Sequence, residues 1–426
     1  MKPLSTVPIL VLIAIMPWPA GASEWDNYLE SEFQSFVWDD EVRTGYQAYA
    51  NEQYEAAAQA LVKAIDSGCK DPVVVFRAAY ALRQAGEADK AAGYFKAATE
   101  QFATVRTDHR CRAEAHWHLA EFYFEHGNYG EAEWHLEHAV SLRPGFVEAY
   151  LLYGDMFVAR GKYDLAAQQY GRAHEKDPKN VKPVLNLAVI LTKDGQLDRA
   201  KAAVEKAREL EPDNDQVGFL AATIATARGD LDAAAAEYEA IRERNPESVD
   251  ALLGLGDVRW RQAKYQKALE HYGAVLELEP EHADALHGLA MSEAKLGKID
   301  DAIERLRRVI ELEPEHKSAH FNLGAFYQSK GDYQLAIEQF AQVMKLDPAD
   351  PTPLYNLGVI FMRLKRYAEA KEYLDRAVEA FGKDSSWGRA AQTMLDLVIE
   401  FQQDREIEIE KELEQLEQPE TTSDSQ

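Results

Sequence analysis

Seven prolines stand on one ruler. Pro144, Pro178, Pro212, Pro246, Pro280, Pro314 and Pro348 follow one another at intervals of 34 residues. A period in this range means one supersecondary unit stacked on copies of itself, so the repeat decides the fold before anything else does. With each proline at position 32 of a unit, further columns align. Position 20 is alanine, from Ala57 and Ala91 through Ala132 and Ala166 to Ala370. Position 8 is glycine or alanine, as in Gly45, Ala79, Ala120, Gly154, Gly256 and Gly358. Position 15 is glycine in seven units: Gly86, Gly127, Gly161, Gly195, Gly229, Gly297 and Gly331. The units begin at 38, 72, 113, 147, 181, 215, 249, 283, 317 and 351, with residues 106–112 inserted after the second.

Each column has a mechanical reason. The apolar spacing inside a unit is helical rather than alternating. Small residues at 8 and 20 let two helices cross closely. Glycine at 15 ends the first helix through a left-handed cap, and proline at 32 stops the second. Bulky residues at 7, 11 and 24, such as Leu323, Tyr327 and Phe340, fill the space between. The expected fold is all-α: an α-solenoid of ten units with a right-handed superhelical course and a capping helix at each end.

The unit at 317–350, KSAHFNLGAFYQSKGDYQLAIEQFAQVMKLDPAD, carries L-G-x-x-Y followed by A, F and P in spacings that resemble the tetratricopeptide repeat family. The resemblance covers residues 38–384. It departs locally: His116 and His320 occupy position 4, which favours tryptophan, and unit 215–248 has Gly218 and Ala225 where bulk is usual. What the resemblance implies is a protein-binding scaffold whose groove is lined by positions 2, 5, 6, 9, 12 and 13 of the first helices.

Read along those columns, the early units supply Tyr46, Tyr49, Phe76, Tyr80, Trp117 and Phe124, interleaved with Arg43, Arg77 and Arg83. Exposed aromatic surface marks binding sites, and these rings are expected either to face the groove or to lie under the segment that precedes them. The late units supply Phe321, Asn322, Tyr355, Asn356 and Arg363. Asparagine at position 6 resembles the ladder in the repeats of O-linked N-acetylglucosamine transferase, where carboxamides hold a peptide main chain. An amide donates and accepts at once, which suits a backbone of any sequence. Asn186 shares the column, but Leu220, Gly254 and Gly288 interrupt it. The family's carboxylate clamp is excluded, because no unit has lysine at position 5.

The ends read differently. Met1-Lys2, an apolar run from Val7 to Met16, and Ala20-Gly21-Ala22 form a secretory leader with expected cleavage after Ala22. The chain is therefore expected outside the cytoplasm, in the periplasm of a Gram-negative cell or otherwise secreted. Residues 23–37 read as an N-terminal cap, 385–418 as a C-terminal capping helix, and 419–426 as a disordered acidic tail.

Chemistry is hard to find. Asp plus Glu outnumber Lys plus Arg by 73 to 47, giving a net charge of −26, which opposes nucleic acid and anionic lipid as direct partners. Any membrane link is expected to be indirect. The partner is expected to be a protein or peptide, with no small-molecule substrate and no cofactor. No nucleophile elbow, P-loop, dinucleotide fingerprint or H-E-x-x-H is present, so no enzyme is expected. Six of the 12 histidines fall between 109 and 138, and His135 and His138, three apart, could share a metal or respond to pH. Cys69 and Cys111 sit on the loop edge of neighbouring units and are candidates for a disulfide. A last alternative is a subunit of an envelope secretion or polysaccharide-export assembly, using the outer face.

Overall fold

A computed structural model describes residues 40–105 and 109–417. The leader, the segment 23–37 and the tail 419–426 lie outside the described residues. The chain divides into two compact units at Leu220–Ala221, inside the sixth repeat.

The first unit holds α1 (Asp40–Ala50), α2 (Tyr54–Asp66), α3 (Pro72–Gln84), α4 (Ala88–Thr104), α5 (His109–Glu125), α6 (Tyr129–Leu142), α7 (Val147–Ala159), α8 (Tyr163–Lys176), α9 (Val181–Lys193) and α10 (Leu197–Leu210). Helix α11 (Asp215–Ala227) begins in it. The second unit holds α12 (Leu231–Arg244), α13 (Val249–Arg261), α14 (Tyr265–Leu278), α15 (Ala283–Lys295), α16 (Ile299–Leu312), α17 (Lys317–Lys330), α18 (Tyr333–Leu346), α19 (Thr352–Arg363), α20 (Tyr367–Phe381) and α21 (Ser386–Glu417). The described residues form an all-α solenoid of ten helix pairs. Part of the insertion is helical: α4 runs on to Thr104 and α5 starts at His109, each 17 residues long.

The proline column acts one residue upstream of itself. Helices α6, α8, α10, α12, α14, α16 and α18 each end two residues before a position-32 proline. The intervening residue leaves helical space, with ψ between 82° and 89° from Arg143 to Asp347. A residue before proline is pushed out of the α region by the ring. At position 15 all ten units take a positive φ, although three of them lack glycine: Glu52 (58°), Ala263 (56°) and Lys365 (59°). The turn geometry is imposed by the stack and does not wait for glycine.

Position 8 is small because position 24 sits on it. A Cβ on Gly154 would lie 2.4 Å from the Tyr170 ring, one on Gly256 2.5 Å from Tyr272, and one on Gly358 2.5 Å from Leu374. In the second unit a continuous core of Leu306, Leu323, Phe340, Leu357, Leu374 and Leu395 runs from α16 into α21. First helices touch first helices of adjacent repeats: α3 with α5, α5 with α7, α13 with α15, and α17 with α19. They form the more closely packed layer of each unit, and their outward positions form its candidate binding face.

Candidate functional site

On this face of the first unit, α9 and the start of α11 enclose an open cavity of about 450 Å³. Val181, Lys182, Leu185, Asn186 and Val189 line it from one side, and Asn214, Gln216 and Leu220 from the other. Leu185, Asn186 and Val189 are positions 5, 6 and 9 of the fifth repeat, which are the columns expected to face the groove. Val189 is 41% exposed on a helix where Val184, Ile190 and Leu191 are buried and Val181, Leu185 and Leu187 half-buried. Asn214 holds the opposite wall: its Oδ1 accepts from the Gln216 backbone N–H at 2.8 Å and its Nδ2 donates to Glu211 at 2.6 Å. Asn186 makes no hydrogen bond among the described residues, so its carboxamide is available above an aliphatic floor.

The early aromatics occupy different ground. Tyr46 and Phe76 are buried, at 9% and 8% exposure, and belong to the core. The Arg77 guanidinium, itself buried, lies 4.3 Å over the Tyr46 ring and 5.8 Å over Tyr49. Burial pushes the Tyr46 and Tyr49 hydroxyls far above the usual phenol range, against the pull of Arg77. Tyr49 packs its ring on Tyr54 and Tyr80, both at 5.8 Å. Trp117 packs on His118 and Phe146, and Phe124 on Tyr129. Arg83 pairs with Glu121 at 2.6 Å and meets His118. The expectation of an open aromatic groove is therefore corrected for Tyr46 and Phe76, which are buried, with Arg77 held over Tyr46 and Tyr49 in a cation–π contact; Tyr49, Tyr80, Trp117 and Phe124 are half-buried.

The asparagine column is also more engaged than its spacing suggests. Asn322 Nδ2 donates to His287 Nε2 of the preceding repeat at 3.0 Å. Asn356 Nδ2 donates to the Thr352 carbonyl of its own helix at 2.9 Å. Phe321 rests edge-on against Phe340, and Tyr355 against Trp387 of α21. Arg363 is exposed. The gap in the column has a physical cause. A Cβ on Gly254 would lie 2.5 Å from Tyr238, and one on Gly288 2.4 Å from Tyr272. In these two repeats the position-24 tyrosine takes the space of position 6 in the next, whereas Tyr170, in the same column, precedes Asn186 without displacing it. The Tyr272 hydroxyl is held as well: its Oη donates to Asp257 Oδ1 at 2.7 Å.

The histidines resolve into pairs. His116 and His135 face each other, Nδ1 to Nδ1, at 2.9 Å, with His138 stacked on His116 and Trp134 tilted against His138. Burial, helped by the neighbouring histidines, pushes His116 down to about 3 and His135 down to about 4. His320 repeats the theme: its ring bridges Gln339 Oε1 at 2.8 Å and the Pro314 carbonyl at 3.0 Å. Both position-4 histidines thus meet a polar residue at position 23, a signal the columns contained. His118 points elsewhere, stacking on Phe95 at 4.6 Å. Among the described residues no group of three or more His, Cys, Asp or Glu is arranged to hold a metal ion. Cys69 and Cys111 are not joined. Cys69 packs against a core built from α1, α2 and α3, and Cys111 belongs to another that draws on α1 through α5, so each thiol serves a different cluster.

Three family profiles, each described as a tetratricopeptide repeat, match the chain. One matches residues 42–106, 120–181, 219–272 and 287–351. The others match 157–223 and 327–395, and 247–315. No match is found among curated proteins. Among solved structures, a tetratricopeptide repeat protein from Parabacteroides merdae is 20% identical with a TM-score of 0.48, covering 59% of this chain and 98% of its own. The MamA protein is 24% identical with a TM-score of 0.37, covering 40% and 92%. The Cut9–Hcn1 structure is 13% identical with a TM-score of 0.45, covering 88% and 97%. At these identities and scores the likenesses carry nothing about partner or role.

Proposed function

Because the chain belongs to the tetratricopeptide repeat family, whose repeats are protein-interaction scaffolds, we propose that it captures an extended peptide segment on the first-helix face of its repeats, without catalysis. The cavity around Asn186 carries this reading. Leu185, Val189 and Leu220 offer a seat for one aliphatic side chain. The Asn186 carboxamide can then pair with the main chain beside it, donating and accepting at once. The net charge of −26 favours a neutral or basic partner. In this reading the leader sends the chain out of the cytoplasm, and the scaffold works in the cell envelope.

A second reading, a subunit of an envelope assembly, draws on the opposite face. Trp134 on α6 is 48% exposed. An open cavity of about 550 Å³ lies beside α16 and α18, with Arg307, Gln339 and Gln342 in its wall.

Capture from the native envelope separates the two. Three forms of the protein are compared: wild type, Asn186→Ala with Val189→Lys, and Trp134→Ala with Gln342→Ala. The proposal expects the partner to be lost only with the first double variant. Loss only with the second moves the interface to the outer face and contradicts the proposal.

A further inference from the structure

We infer that His287 is a positioning residue for the Asn322 rung: its protonation state decides which atom of the carboxamide faces the peptide. This inference rests on the groove reading above and names what one rung recognises.

The argument is one of donors and acceptors. An amide nitrogen only donates, so the 3.0 Å contact from Asn322 Nδ2 requires His287 Nε2 to be bare. His287 is then neutral, with its proton on Nδ1. Asn322 Oδ1 is directed away from the ring and offers an acceptor. The subsite therefore takes a main-chain N–H at neutral pH. When His287 gains a proton at Nε2, that nitrogen becomes a donor and repels the amide NH₂. Rotating the carboxamide by about 180° restores the bond through Oδ1. The outward group is then NH₂, which takes a main-chain carbonyl instead. Asn322 itself is half-buried, and the space at Gly288 in the column before it is filled by Tyr272.

The surroundings support a ring that stays neutral and titrates below its ordinary range. His316, in the cap of α17, lies 5.2 Å from the His287 ring and accepts the Ala319 backbone N–H through Nδ1. Burial and then His316 push His287 down, and Asp284 on its own helix pulls the other way. No charged group on α13, α14 or α16 is among these influences for the described residues.

The test is a pH titration of the full chain by NMR, with asparagine side chains labelled with nitrogen-15 and histidines labelled in the ring. It needs no ligand. The Asn322 side-chain amide should shift with the same midpoint as His287, below 6.5. In His287→Gln that titration should vanish. In Asn322→Asp the His287 midpoint should rise by about 1 to 3 pH units, because a carboxylate now faces the imidazolium. An Asn322 amide that stays still while His287 titrates overturns the inference, as does an unchanged midpoint in Asn322→Asp. Failure here leaves the Asn186 capture experiment standing, and failure there leaves this titration standing.

Discussion

Replacing Gly288 with alanine asks whether tyrosine rings, rather than chance, interrupt the asparagine column. The Tyr272 ring is 2% exposed and lies in a slot between two glycines. A Cβ at 288 would be 2.4 Å from its Cζ, and one at 256 would be 2.5 Å from its Cε1, so the ring cannot yield in either direction. Its hydroxyl is tied to Asp257 at 2.7 Å. Overpacking of this kind costs about 1–3 kcal/mol. The ordinary gain of glycine to alanine in a helix is about 0.5–1 kcal/mol. The net expectation for Gly288→Ala runs from near neutral to a loss of about 2.5 kcal/mol, centred near about 1 kcal/mol. Gly273, in the same α14 helix that carries Tyr272, is the internal control. Nothing lies within 4 Å of a Cβ there, so Gly273→Ala should stabilise. In a Tyr272→Leu background the clash disappears and Gly288→Ala should become neutral or stabilising. The coupling between the two sites should exceed about 1 kcal/mol. Urea unfolding followed by helical circular dichroism reads the wild type and the four variants, and the midpoint of the transition is compared at constant slope, since repeat arrays need not unfold in one step. If Gly288→Ala is as stable as Gly273→Ala, the ring is not trapped and the explanation of the gap fails.

Two further outcomes are expected. Ala263→Gly should stabilise by about 0.5–1 kcal/mol, because the left-handed backbone that strains an L-residue by about 1–2 kcal/mol is natural to glycine. A melting temperature at or below wild type would refute it. Acid should weaken the first unit through His116 and His135. Their folded pKa values lie below the unfolded 6.5, so the unfolded chain binds more protons between about 4 and 6.5, and stability falls as pH falls through that window. The pair should lose about 2 kcal/mol or more between pH 7 and pH 4.5, and His116→Phe with His135→Leu should remove that dependence. Equal pH dependence in the variant would refute it.

Much of the fold was legible because repeat columns encode contacts. Proline at 32, alanine at 20 and the paired sizes at 8 and 24 each act through a fixed contact, and the period repeats it seven times for proline and ten times for the small–large pair. The site was less legible because a column says which face a residue occupies and not what already covers it. Tyr46 and Phe76 are in the groove columns, yet Arg77 folds over Tyr46 and the neighbouring helices bury both. Long side chains reach across repeats, and single-column reading ignores that reach. Asn322 illustrates it: its partner, His287, is 35 residues away in the adjacent column. Tyr238 and Tyr272 fill the space beside Gly254 and Gly288, but the column does not announce it, since Tyr170 stands 16 residues before Asn186 in the same register. Asn186 carried only the signal of its asparagine column, and the structure places it beside the open cavity.

The most direct test of the central claim is a hydrogen-exchange footprint of the protein with its captured partner. Capture on the first-helix face predicts slowed exchange in residues 181–193 and 215–227, with α16 and α18 unchanged. Protection confined to the second helices, with residues 181–193 exchanging as in the unbound protein, would contradict it.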